Sequence, residues 1–421
     1  MKLAVLIIRR STAPLAALLI AATAVWLSFA AVRPGFNLWS DLVTGLSTSS
    51  VYTGCIAAGV AAYESGRWTD AHRERVRFSR RTALHARFTH AAATITPLLA
   101  GYGVALLCVT LLAGARGFYG GPNPWWLLSV AAALLIAAAL GYGIGVVAGA
   151  RWWVAPVAAV GFFACYIAFR STTAPYGVIS LFPVVTNADS EFVTYVTPTM
   201  VGQTAAWCGA TVIIIALAGR WTHASRGATA AVLVIAATSV FAGAATVIGT
   251  NGQYTTGFNS RDFVCNGDGV VACLNPGYLP AMTPLLSAMS QLNERAAGTP
   301  LEAKLLEQNV EGIGDEPAPG ARSVYLEQFA NADDIHFAVY RYVIKYGGMQ
   351  TCMRGGADPS AFSAVAAVDA WLSGFDDDVQ SAGWAGGLRR LQSLSPTEGR
   401  AWFEQNSDEY FGCTLQPDSL P

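Results

Sequence analysis

Seven apolar segments in the first 249 residues constrain this chain more than any other feature. They lie at about residues 13–32, 43–62, 91–114, 125–149, 152–169, 201–219 and 228–249. An α-helix needs about 20 mostly apolar residues to cross about 30 Å of hydrocarbon, and each segment is close to that length. The fifth is the shortest, and the second is the most polar because of Ser47 to Thr53. We therefore predict a polytopic α-helical membrane protein with about seven transmembrane helices.

Basic residues set the orientation, because cytoplasmic loops carry an excess of Lys and Arg. With the N-terminus in the cytoplasm, thirteen Lys and Arg fall in the inside segments, which are 1–12, 63–90, 150–151 and 220–227. Three fall in the outside loops, which are 33–42, 115–124 and 170–200. We predict a multi-pass protein of the cell membrane with two domains. Residues 1–249 form the membrane domain, and residues 250–421 form an extracytoplasmic domain.

Residues 250–421 have the pattern of a soluble, mostly α-helical domain. One helix is predicted from an apolar stripe of Met282, Leu285, Leu286, Met289 and Leu292. Three more are predicted after Asn, Asp or Ser caps, at residues 331–346, 358–375 and 395–411. The stretch FVCNGDGVVACLNPGY predicts a short β-hairpin, because Asn-Gly-Asp-Gly lies between β-prone residues.

The eight cysteines divide evenly between the two domains. Four lie within apolar segments, namely Cys55, Cys108, Cys165 and Cys208. The other four lie in the predicted external domain, namely Cys265, Cys273, Cys352 and Cys413. An even number in an oxidising compartment predicts two disulfides. A turn centred on Gly267-Asp268 places Cys265 opposite Val270, so a direct bridge to Cys273 needs a wider loop, and all three connectivities stay open.

No catalytic or metal-binding motif is recognisable in the sequence. The external domain has one histidine, His336, and lacks HExxH, GxSxG and zinc-like cysteine spacing. The acidic run at 376–378 lacks the alternating ligands of a calcium loop. No GxxxxGK[ST] loop is present, and residues 91–249 contain no Lys and only two acids, Asp189 and Glu191. Ion-driven carriers need ionisable groups at depth, so we expect a non-enzymatic protein whose transport would be powered by another polypeptide.

One strongly basic stretch, ESGRWTDAHRERVRFSRRTALHARFTH at residues 64–90, separates the second and third apolar segments. It holds seven arginines, and Arg73, Arg77, Arg80 and Arg81 recur at helical spacing. One interpretation is a topology determinant that meets anionic lipid headgroups. The other is a docking element for a soluble cytoplasmic partner. Nucleic-acid binding is not expected, because the arginines lie against the membrane outside any recognised motif.

A second short stretch, GYGIGVVAG at residues 141–149, places Gly141, Gly145 and Gly149 on one helix face. Small residues at this spacing let helices approach closely. We predict that the stripe packs helices together, either within the chain or between subunits.

Several stretches together form a familiar layout. The chain opens with MKLAVLIIRRSTAP, carries AAYESGRWTDAHRERVRFSRRT at the end of its second span, and has a semi-hydrophobic external segment between its fifth and sixth spans. CLNPGYLPAM is similar to a Cys-x-x-Pro-x-Tyr signature, with Asn275 where a bulky aromatic residue or His is expected, and LSPTEGRAWFEQNSDEYFGC is similar to a closing helix. In this layout the chain resembles the permease subunits of bacterial ABC-2 type exporters, in particular a sub-group with an extra span and a C-terminal external domain.

In such exporters, the loop between the second and third spans carries a coupling helix that receives motion from a separate ATPase. The resemblance implies this role for residues 64–90, with contacts at Arg73, Arg75, Arg77, Arg80 and Arg81. It also implies that ATP and Mg²⁺ are bound by the partner subunit, and that two permeases, identical or different, form a path for an amphiphilic or peptide substrate. The alternative is a membrane-anchored extracytoplasmic ligand-binding, sensor or immunity protein without transport activity.

Overall fold

Two compact units make up the chain. The computed structural model describes residues 11–75, 80–121, 123–171, 193–218, 226–250, 255–258, 263–309, 317–355, 358–375 and 385–421. The N-terminal unit comprises Met1–Val32 and Leu38–Gly257, and the C-terminal unit comprises Arg33–Asn37 and Phe258–Pro421. Sequence analysis placed the domain boundary at residue 249 and assigned residues 33–37 to an outside loop. In the structure these five residues belong to the C-terminal unit.

Seven helices of the N-terminal unit correspond to the seven predicted apolar segments. They are α1 (Ala13–Ala30), α2 (Trp39–Arg75), α3 (Arg80–Ala115), α4 (Pro124–Ala148), α5 (Val154–Ser171), α6 (Thr197–Ala218) and α7 (Arg226–Gly249). Among the described residues, five of them (α1, α3, α4, α6 and α7) contain a stretch long and apolar enough to cross a membrane. The described apolar part of α5 is shorter, and α2 is more polar. The chain is therefore a helical membrane protein, and the count of seven spans remains a prediction.

Helix α2 packs closely on α1, α4 and α5. Its contact with α4 is made by backbone atoms, because a Cβ atom at Gly141 would lie 2.0 Å from Ala58 O, and one at Gly145 would lie 2.0 Å from Ala62 O. Helix association in hydrocarbon depends on such close packing. The glycine stripe therefore faces another helix of the same chain, and its last member, Gly149, forms the turn after α4 with a φ of +75°.

The described strands form two sheets, and the larger one exceeds the predicted hairpin. The strands are β1 (Val193–Tyr195), β2 (Thr255–Phe258), β3 (Val264–Asn266), β4 (Val271–Leu274), β5 (Leu305–Asn309) and β6 (Arg322–Tyr325). β1 pairs with β2, and β3 to β6 form one four-stranded sheet in that order. β3 and β4 are antiparallel, whereas β4, β5 and β6 are parallel. Sequence analysis missed β5 and β6 because strands of five and four residues are too short to show a periodic pattern.

Helices surround this sheet. They are α8 (Met282–Arg295), α9 (Ala332–Tyr346), α10 (Gly348–Gly355), α11 (Pro359–Ser373), α12 (Ala385–Gln392) and α13 (Pro396–Phe411). The four predicted helices are present as α8, α9, α11 and α13. Asn331 with Asp334 and Ser395 with Glu398 form the capping boxes that begin α9 and α13. The short helices α10 and α12 were not predicted.

The four predicted external cysteines pair as Cys265–Cys273 and Cys352–Cys413. The second disulfide joins α10 to the segment after α13 and spans 61 residues of sequence. Closing so long a loop restricts the unfolded chain and stabilises a fold by about 2–4 kcal/mol.

The β3–β4 hairpin corrects the predicted register. Cys265 lies directly opposite Cys273, with Cα atoms 4.0 Å apart. The structure therefore has the direct bridge between Cys265 and Cys273, and not the turn centred on Gly267-Asp268 that would place Cys265 opposite Val270. Gly267 and Gly269 adopt φ values of +128° and +83°, and these left-handed residues carry the chain through a wider loop than a two-residue turn.

Residues Arg33–Asn37, between α1 and α2 in the chain, are built into the C-terminal unit. The Phe36 side chain is 1% exposed, and its ring centroid lies 4.4 Å from that of Tyr278. Phe329 N donates a hydrogen bond to Pro34 O at 2.9 Å. Since Tyr278 is the tyrosine of CLNPGYLPAM, this stretch forms the socket that receives Phe36.

Asn275 holds the same stretch in place. Its side chain accepts a hydrogen bond from Gly277 N at 3.0 Å, and its backbone N–H donates to Gln308 Oε1 on β5 at 2.9 Å. The residue that departs from the exporter signature therefore begins the 3₁₀ turn Pro276–Ala281, which carries Tyr278.

A fully buried carboxyl group lies in the helical part of the C-terminal unit. One oxygen of Asp369, on α11, accepts a hydrogen bond from the Tyr410 hydroxyl on α13, and the other has no partner among the described atoms. Burial raises the pKa of Asp369 to about 7, although the hydrogen bond from Tyr410 acts in the opposite direction.

The first prediction concerns the α2–α4 contact. We expect Gly145→Ala to destabilise the protein by about 1–3 kcal/mol, because the new methyl group would overlap α2 backbone atoms. Thermal unfolding in detergent measures the change. Gly103→Ala on α3 is the matched control, since a Cβ atom there would meet nothing within 4 Å. Equal melting temperatures for the two variants would contradict the contact.

The second prediction concerns Asp369. The folded state retains a proton that the unfolded chain, with an ordinary Asp pKa near 3.9, releases. We therefore expect this residue's contribution to stability to be lost as the pH rises from about 4 to about 7. Asp369→Asn mimics the protonated acid and should melt higher than the wild type at pH 8, with a flatter pH profile. Asp408→Asn, at an exposed position of α13, should keep the wild-type slope. If stability depended on pH with the same slope in both variants, Asp369 would not be the group whose raised pKa causes the loss of stability.

Candidate functional site

Helices α2 and α3 both continue from their apolar segments into the basic stretch. α2 runs for 37 residues, about 55 Å at 1.5 Å per residue, whereas the hydrocarbon is about 30 Å thick. Arg73 and Arg75 lie in the last turn of α2, and Arg80 and Arg81 begin α3. Arg77 and the side chains of the other four arginines lie outside the described residues. The structure therefore gives the helical course of this hairpin but does not place its predicted coupling side chains.

The base of the hairpin is joined to the start of α1 by a buried carboxylate. Glu64 Oε1 accepts hydrogen bonds from Thr12 N at 2.6 Å and from Thr12 Oγ1 at 2.8 Å. Glu64 is buried, and Thr12 is the N-cap residue of α1. A negative charge is favourable at a helix N-terminus, where backbone N–H groups lack partners within the helix. Glu64 thus replaces the missing cap of α1 and ties that helix to α2.

A second carboxylate joins α2 to the turn between α4 and α5. Asp70 Oδ2 accepts a hydrogen bond from Ala150 N at 2.7 Å. One turn earlier, Gly66 lies so close to this turn that an added Cβ atom would be 2.6 Å from Gly149 O. The turn is therefore fixed to α2 by both a charged hydrogen bond and backbone packing.

An aromatic cluster connects α2, α3 and α4 at the same end. The rings of Trp68 and His90 stack with their centroids 4.7 Å apart. His90 Nδ1 lies 3.3 Å from the Tyr142 hydroxyl, and Ser65 Oγ donates to Tyr142 O at 2.9 Å. Ser65, His90 and Tyr142 are all buried. The base of the hairpin is therefore a packed polar network and not a solvated loop.

Sequence analysis did not predict this network, although a signal was present. Glu64 and Asp70 are two of only six acids in the first 250 residues, and both lie within about eight residues of the end of the second apolar segment. The structure also brings together two features that the sequence left separate. Gly145 packs on Ser65, where an added Cβ atom would lie 2.1 Å from Oγ, and Gly149 lies beside Asp70. The glycine stripe and the basic stretch therefore meet at one site.

Clefts among the described residues of the C-terminal unit are small. One of about 150 Å³ is lined by Tyr325, Glu327, Gln328, Asp334, Phe337 and Ala338, and one of about 200 Å³ is lined by Arg295, Trp371, Gly374, Gln392, Leu394, Ser395 and Pro396. Ligand pockets typically measure about 300–1,000 Å³. The charged groups in both clefts already bind the protein itself, because Asp334 accepts from Gln328 Nε2 and Arg295 donates to Leu372 O. As a functional site, these clefts are therefore weaker candidates than the base of the α2–α3 hairpin.

The third prediction tests the link between Asp70 and the α4–α5 turn. We expect Asp70→Ala to increase hydrogen–deuterium exchange in a peptide covering residues 146–153, because Ala150 N–H loses its acceptor. Thr69→Ala is the matched control, since Thr69 Oγ1 donates only to Ser65 O within its own helix. Unchanged exchange in Asp70→Ala would show that the carboxylate does not hold the turn.

Comparison with known proteins adds no assignment to this site. No protein-family model matches the chain, no curated protein is similar to it, and no solved structure matches it. Its function is therefore argued from its own residues.

Proposed function

We propose that this chain is the membrane permease subunit of an ATP-driven exporter of the ABC-2 type. A separate ATPase subunit would bind ATP and Mg²⁺ and dock on residues 64–90, with Arg73, Arg75, Arg77, Arg80 and Arg81 as its contacts. This permease would act with a second copy or a partner permease, and the substrate would be an amphiphile or a peptide. The observation that carries the proposal is the buried network at the base of the α2–α3 hairpin.

This network suits a hairpin that transmits force. A loop that only determined topology would need basic side chains but no buried contacts below them. Here Glu64 joins the hairpin to α1, Asp70 joins it to the α4–α5 turn, and His90 with Tyr142 joins α3 to α4. A displacement applied to the hairpin would therefore reach three other parts of the helix bundle through these contacts.

Seven spans are supported by the course of α2 and α5. Gly45 of α2 packs on Leu27 of α1, and Glu64 of α2 binds Thr12, so α2 runs antiparallel to almost the whole of α1. Gly59 and Gly54 of α2 pack in turn on Ala155 and Phe162, so α5 runs antiparallel to α2. Each helix follows a neighbour across the same thickness, although α2 is more polar and the described apolar part of α5 is shorter.

The proposed orientation is supported by contacts between segments assigned to the same side. Trp39 N donates to Tyr119 O at 3.1 Å, which joins the first and second outside loops. Thr12 with Glu64 and Asp70 with Ala150 join segments assigned to the cytoplasm. The inclusion of residues 33–37 in the disulfide-containing C-terminal unit fits an extracytoplasmic position for both.

The fourth prediction is that an ATPase subunit co-purifies with this protein. We expect mass spectrometry of the tagged chain, isolated from its native host in mild detergent, to identify a nucleotide-binding subunit. Changing Arg73, Arg77, Arg80 and Arg81 together to Ala should remove that subunit, because the docking charges are lost. Changing the exposed Arg389, Arg390 and Arg400 of the C-terminal unit to Ala is the charge control and should retain it.

The opposite result has a clear meaning. If the wild-type chain is isolated alone and stimulates no ATPase encoded beside it, the exporter proposal fails. The membrane-anchored sensor or immunity protein would then be the better interpretation, and the C-terminal unit would be the part to test for ligands.

A further inference from the structure

Two exposed arginines lie on aromatic rings at the hairpin end of the N-terminal unit. The Arg67 guanidinium is 5.4 Å from the ring centroid of Tyr63 on α2. The Arg151 guanidinium is 5.8 Å from the ring centroid of Trp153, at the start of α5. Trp152, between the latter two residues, is 84% exposed. We call these five residues the Arg67–Arg151 patch.

Backbone contacts bring the two halves of the patch together. Gly66, next to Arg67, packs on Gly149, two residues before Arg151. Further along the same helices, Gly59 of α2 packs on Ala155 of α5. The two arginines therefore lie on adjoining segments at one level of the bundle. The hydrogen bond from Ala150 N to Asp70 joins the same two segments.

Within the described part of the chain, neither Arg67 nor Arg151 forms an ion pair. Neither guanidinium has a carboxylate within ion-pair distance there, and each makes only its ring contact. The nearest acids along α2, Glu64 and Asp70, are engaged with Thr12 and with Ala150 N. An arginine that rests on a ring still presents N–H donors along its edge, in the geometry that binds a phosphate group through two hydrogen bonds. The patch therefore offers two such edges to an anion.

The surface beside the patch is apolar. Val147 at the end of α4 and Val157 and Val160 on α5 are all more than half exposed. Exposed aliphatic side chains on membrane helices contact lipid chains, and Trp and Tyr favour the boundary between those chains and the headgroups. A soluble anion would contact the arginines but not these valines, whereas a phospholipid would contact the arginines with its headgroup and the valines with its acyl chains.

We propose that the Arg67–Arg151 patch binds the headgroup of an anionic phospholipid, with the acyl chains along Val147, Val157 and Val160. The phosphate would accept hydrogen bonds from both guanidinium groups, while Trp152 and Trp153 lie at the level of the glycerol backbone. The site needs no transport activity, and neither Arg67 nor Arg151 is among the arginines proposed to contact the ATPase. It differs from general attraction to a charged surface because two fixed arginines with aromatic supports define its position.

The fifth prediction tests this site by native mass spectrometry of the full chain in detergent. We expect phosphatidylglycerol to bind more tightly than phosphatidylcholine. Changing Arg67 and Arg151 together to Gln should weaken phosphatidylglycerol binding on the order of 25-fold, or about fivefold for each arginine at a membrane surface. Trp153→Ala keeps both charges and should also weaken binding, because the aromatic support of Arg151 is lost.

Arg116→Gln is the matched control. Arg116 is also exposed and lies 5.2 Å from the ring centroid of Phe29, but it follows the other end of α3. It should retain wild-type binding. The proposal would be overturned by wild-type affinity in the Arg67 and Arg151 double variant, by an equal loss in Arg116→Gln, or by equal affinity for phosphatidylcholine. Displacement of the lipid by millimolar glycerophosphate would also overturn it, since the patch would then be a site for soluble phosphates.

Discussion

The close approach of α2 to its neighbours is the constraint on which the rest of the N-terminal unit depends. Lipid chains are as apolar as leucine side chains, so burial of apolar surface cannot hold membrane helices together, and tight packing must do so. α2 meets its neighbours through small residues along its whole length, at Gly45, Gly54, Gly59 and Gly66, and receives Gly141 and Gly145 from α4. The polar network at its base forms only because these contacts set the register between helices.

The same helix explains how a comparatively polar segment can cross the bundle. Ser47 Oγ accepts a hydrogen bond from Trp126 Nε1 at 2.7 Å, and Thr53 Oγ1 donates to Ser49 O within the helix. These polar groups are buried and satisfied by neighbours instead of lipid. Composition alone therefore underestimates the ability of α2 to cross the bundle, because a central helix faces protein on most sides. The helix with the weakest apolar signal is one of the two that continue into the basic hairpin.

Local sequence predicted local structure well. Apolar run length located the seven described helices of the N-terminal unit, and caps such as Ser395 with Glu398 located α9, α11 and α13 of the C-terminal unit. Contacts between distant residues were missed, since Glu64 with Thr12 and Asp70 with Ala150 are separated by 52 and 80 positions and depend on helix register. Phe36 was missed for the same reason, because a short loop gives no sign that a distant tyrosine receives it.

Contacts within the α1–α2 pair restrict the movement that the proposed transport would need. Glu64 of α2 binds Thr12 at the start of α1, and Gly45 of α2 packs on Leu27 near the end of α1. α6 and α7 form a separate close pair, in which Gly202 packs on Gly243 and Gly209 on Ala236. Packed interfaces have discrete arrangements and do not deform continuously. Under the proposed function, the hairpin would therefore move α1 and α2 as one body, and the change would occur where that body meets the α6–α7 pair through α4.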